Sequence, residues 1–451
     1  MGKAYNVLLA TFAATGSFLF GYDSGVMTDV IASPNFLAYF DTQVTSPIIG
    51  AINSTFSGGA VLGSLMGGFT MDRFGRKSTI QIGALIAIVG AVLQSAAVNL
   101  SMMLVGRIIS GWAVGLMSMS VPVYQAECAN LLLAGLIWLP ESPRYLVETH
   151  RNEEAMAVLR KLHYNGSNDD WIDVEFAEIS ATIQAEKEIG AQSWFVMFKV
   201  PQWRKRLMHG TLVQVFTQLT GINVIGYYQT IMYNALGITG GRAVLVAGIY
   251  NCVGPIANLI FIIFLLDRVG RRKPLLFGAV GITIALVCEA AINSQNPAGT
   301  RQALSIAGVF FIFSVSVIFS VSFGPVSWVY MSEIMPMQIR GRGNAFATGV
   351  GNWLVSTLFS QISPIALGGL SWKYYFVFAA FNVAVTIPTV FFVFKETTQK
   401  SLEEIDLLFG ERASGMPASG GEEKRLESAA HRETAVAGKQ AGVHVQAQTT
   451  R

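Results

Sequence analysis

Stretches of twenty or more apolar residues recur along this 451-residue chain, separated by short loops that hold most of its charge. Backbone N–H and C=O groups inside a bilayer must be satisfied without water, and segments of ~20 residues satisfy them as helices. Ten full spans are expected, at about 6–28, 48–70, 79–98, 101–122, 207–234, 243–266, 274–294, 303–331, 344–370 and 374–394. Composition agrees: 52% of residues are hydrophobic and only 13% charged, against about 25% charged in a soluble domain. The fold class that follows is an all-α, multi-span membrane protein.

Other classes are excluded in passing. A net charge of +3 without a basic stripe does not suit nucleic acid. Cys128, Cys252 and Cys288 lie in or beside apolar stretches, so no disulfide framework is expected. No nucleophile–base pair, metal cluster or phosphate loop is visible, so no enzyme, cofactor or metal is expected. No cleavable leader is expected either, because the apolar stretch after Lys3 is too long for one.

Basic residues set the orientation. Asp72-Arg-Phe-Gly-Arg-Lys77, the segment 141–205, Asp267-Arg-Val-Gly-Arg-Arg-Lys273 and Arg340-Gly-Arg342 carry most of the loop Lys and Arg. All fall on one side if the N-terminus lies there too, and the positive-inside rule makes that side the cytoplasm.

The DRxGR loop occurs twice, at Asp72 and Asp267, each time after the second span of a block, as in carriers built from two halves. Two spans later each half has a glutamate, Glu127 and Glu333. From Glu333 to Glu396 is 63 positions, with Arg340-Gly-Arg342 and two spans between. From Glu127 to Glu141, in Pro140-Glu-Ser-Pro-Arg144, is 14. The 49-residue difference is the length of a basic loop, one helix and part of another. The first half therefore reads as lacking its fifth span and most of its sixth, with Leu131 to Leu139 the remnant; a half that was always shorter is the plainer alternative. The expected organisation is an incomplete N-terminal bundle at 1–140, a cytoplasmic helical insert at 141–205, a six-helix bundle at 206–396 and a tail at 397–451, disordered from about 411.

Ten motifs in order carry a family resemblance: GYDSGVM at 21–27, DRFGRK at 72–77, GRIISGWAVG at 106–115, PVYQAE at 122–127, PESPRYL at 140–146, QLTGINVIGYY at 218–228, DRVGRRK at 267–273, GPVSWVYMSEIMPMQIRGR at 324–342, NW at 352–353 and KETTQKSLEEID at 395–406. Over roughly residues 5–410 the chain resembles the sugar porters of the major facilitator superfamily, most of all the fungal sugar/proton symporters. The resemblance implies two helical bundles, here with about 10 full spans instead of 12, and uptake of a monosaccharide or small oligosaccharide with a proton by alternating access. It implies a multi-pass protein of the plasma membrane, acting as a monomer, with sugar, proton and lipid bilayer as its partners. A sugar sensor without transport, and a truncated form that no longer transports, are the competing readings.

Residues are assigned on physical grounds and on motif position together. Asp23 in span 1 is costly unless paired, and Arg107 in span 4 is its cheapest partner. The resemblance implies a proton carrier and its partner; a static ion pair is the plainer reading. A hexose offers hydroxyls and an apolar ring face, which amides and indoles match. Gln214 and Gln218 share a helix face, and Gly221 allows a break that aims Asn223 inward. Trp328 follows an expected break at Gly324-Pro325, and Asn352-Trp353 lies within span 11. These residues, with Asn251 in span 8, are the expected substrate ligands; helix-to-helix packing is the alternative for each. Thr217 stands where the family usually has a first glutamine, and the glutamine of the fifth span has no counterpart here. By resemblance, Asp72, Arg73, Arg76, Glu127, Glu141 and Arg144 face Asp267, Arg268, Arg271, Glu333 and Arg340 in gating salt bridges; topology anchors are the alternative.

Overall fold

The computed structural model describes residues 27–127, 143–163, 172–174, 176–177, 179–181, 183, 194–296, 299–336, 339–398, 400, 405 and 408–409. Among these the protein is almost wholly helical. The first half contributes α1 (Pro47–Phe74), α2 (Arg76–Ser95) and α3 (Leu100–Glu127). Two helices of the polar segment follow, α4 (Pro143–Glu148) and α5 (Asn152–His163). The second half runs α6 (Pro201–Leu219), α7 (Ile222–Ala235), α8 (Gly241–Phe264), α9 (Arg272–Gln295), α10 (Gln302–Ser320), α11 (Phe323–Ile334) and α12 (Arg340–Phe346). A π-helical segment, Ala347–Leu354, then leads into α13 (Val355–Leu370), α14 (Tyr375–Phe381) and α15 (Ile387–Phe392).

Seven helical stretches among the described residues are long and apolar enough to cross a membrane. The last, Arg340–Phe392, is 53 residues long and covers two expected spans. The expected span 6–28 lies almost entirely outside the described residues. Apolar side chains line the outside: Leu85, Ile88 and Val92 on α2, Leu245, Ile256 and Ile263 on α8, and Phe277 and Ile284 on α9 are exposed. Water would penalise such a belt, whereas lipid does not.

The expected break near Gly221 is present. Gly221 takes φ +80°, the left-handed region, between α6 and α7, and its α carbon faces the Phe378 ring. The second break falls at Val321–Ser322, just ahead of the expected Gly324-Pro325. Pro325 then sits in the first turn of α11, where a missing N–H costs no helical bond. The π-helical segment was not anticipated.

Helices approach through glycine. An added Cβ on Gly59 would lie 2.2 Å from the Ile108 carbonyl oxygen, and on Gly63 2.1 Å from that of Trp112. Across the same seam, a Cβ added on Gly111 would lie 1.9 Å from the Phe56 carbonyl oxygen and one on Gly115 2.2 Å from that of Ala60. Each helix thus presents a small-xxx-small pair that brings α1 and α3 into backbone contact. The halves join where α1 meets α13: Gly50 abuts the Gln361 backbone, and Ser54 donates to Gln361 Oε1 at 2.6 Å. The repeat places the equivalent of Gly50 at Leu245 on α8, which is exposed, and Gly248 on the same helix has nothing within 4 Å.

Gly111→Ile is therefore expected to drive α1 and α3 apart and lower the thermal midpoint of the detergent-solubilised protein by several degrees or prevent folding, while Gly248→Ile leaves that midpoint nearly unchanged.

Candidate substrate chamber and basic gate

The kink at Gly221 turns α7 so that Asn223 lies within reach of α6. Its Nδ2 donates to Gln218 Oε1 at 2.6 Å and to Ser356 Oγ at 3.4 Å. Gln218 in turn donates from Nε2 to Asn352 Oδ1, on the π-helical segment. Ser356 lies 3.3 Å from Ser57 of α1. Three amides expected from sequence thus meet at one spot between the two halves. They satisfy one another, and each bond is of a kind that a ligand hydroxyl can replace.

Gln214, one turn before Gln218, is fully buried; its Nε2 donates to Met331 Sδ at 3.4 Å and its Oε1 has no partner among the described residues. Trp353 is buried against α1 and α3. Its indole N–H donates to Ser118 Oγ at 3.1 Å, and its ring meets Phe56 edge-on at 6.4 Å. The π-helical turn widens the helix locally and places Asn352 and Trp353 toward α6 and the first half. Trp328 is half-buried against the main core and makes no hydrogen bond among the described residues. Asn251 stands apart: it is exposed on α8 and accepts from Gln229 Nε2 at 3.2 Å.

Arg107 is fully buried. Its Nε donates to the Ile52 carbonyl at 3.1 Å, and its two Nη reach Gln94 Oε1 and Asn53 Oδ1, each at 3.4 Å. Its guanidinium stacks 4.2 Å above the Phe56 ring centroid. Phe56 therefore touches both the buried cation and Trp353. Asp23, the expected partner of Arg107, lies outside the described residues.

At the basic end, Arg342, not assigned from sequence, crosses between halves, with Nη2 2.8 Å from Asp72 Oδ2. The expected Arg340 is buried and donates Nε to the Met335 carbonyl at 3.3 Å. Beneath the bridge, Met71, Met119 and Ala345 form an apolar plug with Trp194. Arg76 is buried near the Tyr145 ring, whereas Arg73 and Arg268 are exposed. Arg271 pairs with Glu333 at 2.9 Å, and Thr397 donates its hydroxyl to Glu333 Oε2 at 2.7 Å. Glu396, unassigned from sequence, accepts from the backbone N–H of Arg271 and of Arg272 at 2.8 and 3.1 Å. Burial pushes the Glu396 carboxyl up, but these bonds and the Thr398 hydroxyl outweigh it and hold it below the usual carboxylate range. Glu141 lies outside the described residues, as do the side chains of Glu127, Arg144 and Asp267. No cluster of metal-ligating side chains occurs among the described residues.

A family model described as "Sugar (and other) transporter" matches residues 9–131 and 128–409, two segments that meet where the first half reads as shortened. The chain is 33% identical to the MFS-type transporter criB of Aspergillus cristatus, over 91% of this chain and 94% of that protein. That alignment runs over 460 positions while taking up 91% of 451 residues, so about fifty positions of the relative have no counterpart here. Identity is 30% to the MFS glucose transporter mfs1 of Aspergillus flavus, over 93% of this chain and 92% of that protein. It is also 30% to the high glucose sensor RGT2 of Saccharomyces cerevisiae, over 90% of this chain and 60% of that one. A solved structure of the proton:xylose symporter XylE bound to 6-bromo-6-deoxy-D-glucose shares the fold, with a TM-score of 0.74 at 23% identity over 91% of this chain and 100% of that one.

The depressed Glu396 carboxyl contributes stability that is present above the unfolded value, about pH 4.3, and is lost as pH falls through the lower folded value. Thermal midpoints of the detergent-solubilised protein are expected to drop over that acidic window, with Glu396→Gln showing a smaller drop.

Proposed function

The chain belongs to the sugar transporter family of the major facilitator superfamily, and on that premise we propose that it carries a small sugar across a membrane by proton symport. It is a multi-pass membrane protein, and its family consists of transporters rather than enzymes. The observation that supports the reading is the cluster of Gln218, Asn223 and Asn352 between the halves, with Trp353 the residue next to Asn352. A monosaccharide entering there replaces amide–amide bonds by hydroxyl–amide bonds, while an indole face covers its apolar ring surface. Gln214 adds an unused buried acceptor one turn away, and Trp328 and Asn251 form outer contacts as the halves move.

Asp23 carries the proton and Arg107 is its partner. The environment of Arg107 supports this role: Ile52, Asn53 and Gln94 fix the guanidinium, so a change in carboxylate charge acts on a cation that cannot swing away. Alternating access follows from bridges at one end. Arg342–Asp72 spans the halves and must part for the chamber to open on the basic side, while Arg271–Glu333 and Glu396 tie the second half to itself. We place the basic side in the cytoplasm with both termini, the protein in the plasma membrane, and the working unit as a monomer.

Two further readings have specific support. The sensor relative supports sugar binding without transport. The two-segment family match and the unpacked Gly248 on α8 support a form whose first half lacks two spans and which binds sugar without carrying it.

Labelled-monosaccharide uptake into transporter-deficient cells separates these. Symport predicts accumulation above the external concentration that a proton uncoupler abolishes and that Asp23→Asn reduces to simple equilibration. Binding without uptake selects the other readings. In either case Asn352→Ala strands Gln218, and the apparent affinity for sugar is expected to fall roughly 10-fold, from the ~1–3 kcal/mol cost of an unpaired buried amide.

A further inference from the structure

Glu289 lies in the last third of α9 and is 1% exposed. It has no place in the chamber or the gate. Asn293, one turn on, donates Nδ2 to Glu289 Oε1 at 2.7 Å and to its backbone carbonyl at 3.2 Å. Glu289 Oε2 has no hydrogen-bond partner among the described residues. Gly308 of α10 faces that oxygen; a Cβ built there would lie 3.4 Å from it and 2.8 Å from Leu236 Cδ2, so the flexible end of Leu236, and no polar group, fills the place beside the orphan atom.

Among the described residues, the surrounding groups supply no cation. Tyr233 of α7 and Tyr375 of α14 are the titratable side chains that face Glu289. The helices α10 and α15 contain no titratable residue. Lys373, before α14, sits over the Trp372 ring, and Arg301, before α10, is exposed. Tyr228 of α7 is bonded to the Ser360 carbonyl, Tyr374 to Ser363, and Tyr330 and Glu333 of α11 are engaged at the basic end. An ionisable group buried in a span is a functional site by default, and a carboxylate with no cation is the costliest kind. A carboxylic acid needs one donor, which Asn293 provides, and an outlet for its own O–H.

Hydrogen-bonded polar groups lie on either side of it in the bundle. Toward the C-terminal end of α9, Asn296 is buried and donates to Ser305 Oγ at 3.2 Å. Toward the middle of the bundle, the Tyr233 hydroxyl donates to Gln229 Oε1 at 3.5 Å, and Gln229 donates to Asn251.

We propose that Glu289 is a proton-binding site of the second bundle, separate from Asp23 and Arg107. A proton from water at the C-terminal end of α9 binds Oε2 and makes the side chain neutral; it returns to water when α9 and α10 shift and Leu236 gives way to water beside Gly308. The site does not depend on what the chamber carries.

Infrared spectra of the purified full chain, recorded from about pH 5 to about pH 9 in H2O and D2O, test it. A carbonyl band of a protonated carboxyl group is expected to weaken as pH rises, to shift in D2O, to vanish in Glu289→Gln and to persist in Asp23→Asn. A band unchanged in Glu289→Gln overturns the proposal, and so does a band lost from that variant but insensitive to pH in the wild type. Should Glu289→Gln not fold, Asn293→Leu removes the amide donor and must displace the band; an unmoved band is equally fatal. Failure of proton symport would appear in the uptake and uncoupler assays and leave this band intact.

Discussion

Inside an apolar bundle an amide or a charge out of reach of water must find its partner on a neighbouring helix. That constraint organises the whole protein. Gln218, Asn223 and Asn352 satisfy one another from three different helical segments. Arg107 is held by Ile52, Asn53 and Gln94 and rests on Phe56. At the basic end, Glu396 takes the first N–H groups of α9, which the helix itself leaves unpaired.

The same constraint makes the chamber useful. Amides that bond one another in an unliganded state exchange those bonds for bonds to a polyol at small net cost. Phe56 links the two proposed sites: its face lies under the Arg107 guanidinium, and its ring meets that of Trp353 at a near right angle. In the proposed symport, a change in the charge beside Arg107 would reach Trp353 through this one aromatic ring.

Much of this was legible in the sequence, for physical reasons. Apolar length gives the spans, because lipid thickness fixes how many residues a helix needs. The Gly221 break and the meeting of Gln218, Asn223 and Asn352 follow from glycine's conformational freedom and from the scarcity of amides in such helices. The π-helical turn at Ala347–Leu354 was hidden, because it arises from how the helix packs and not from a residue that breaks it. Arg342 and Arg340 are chemically equal in a linear reading; only the rotation of α12 brings Arg342 to Asp72. Asn251 could not be placed from its type alone, and it is exposed on α8 rather than gathered with the other amides. Glu289 carried a readable signal, a carboxylate within the 274–294 stretch, that motif comparison passes over.

The most direct measurement of the central claim is a structure of the detergent-solubilised chain with a monosaccharide bound. The account requires density for the ring between the halves, with hydroxyls within hydrogen-bond distance of Gln218, Asn223 and Asn352 and the Gln218–Asn352 bond broken. A sugar seated elsewhere, or those three amides still bonded to one another at saturating ligand, would contradict it.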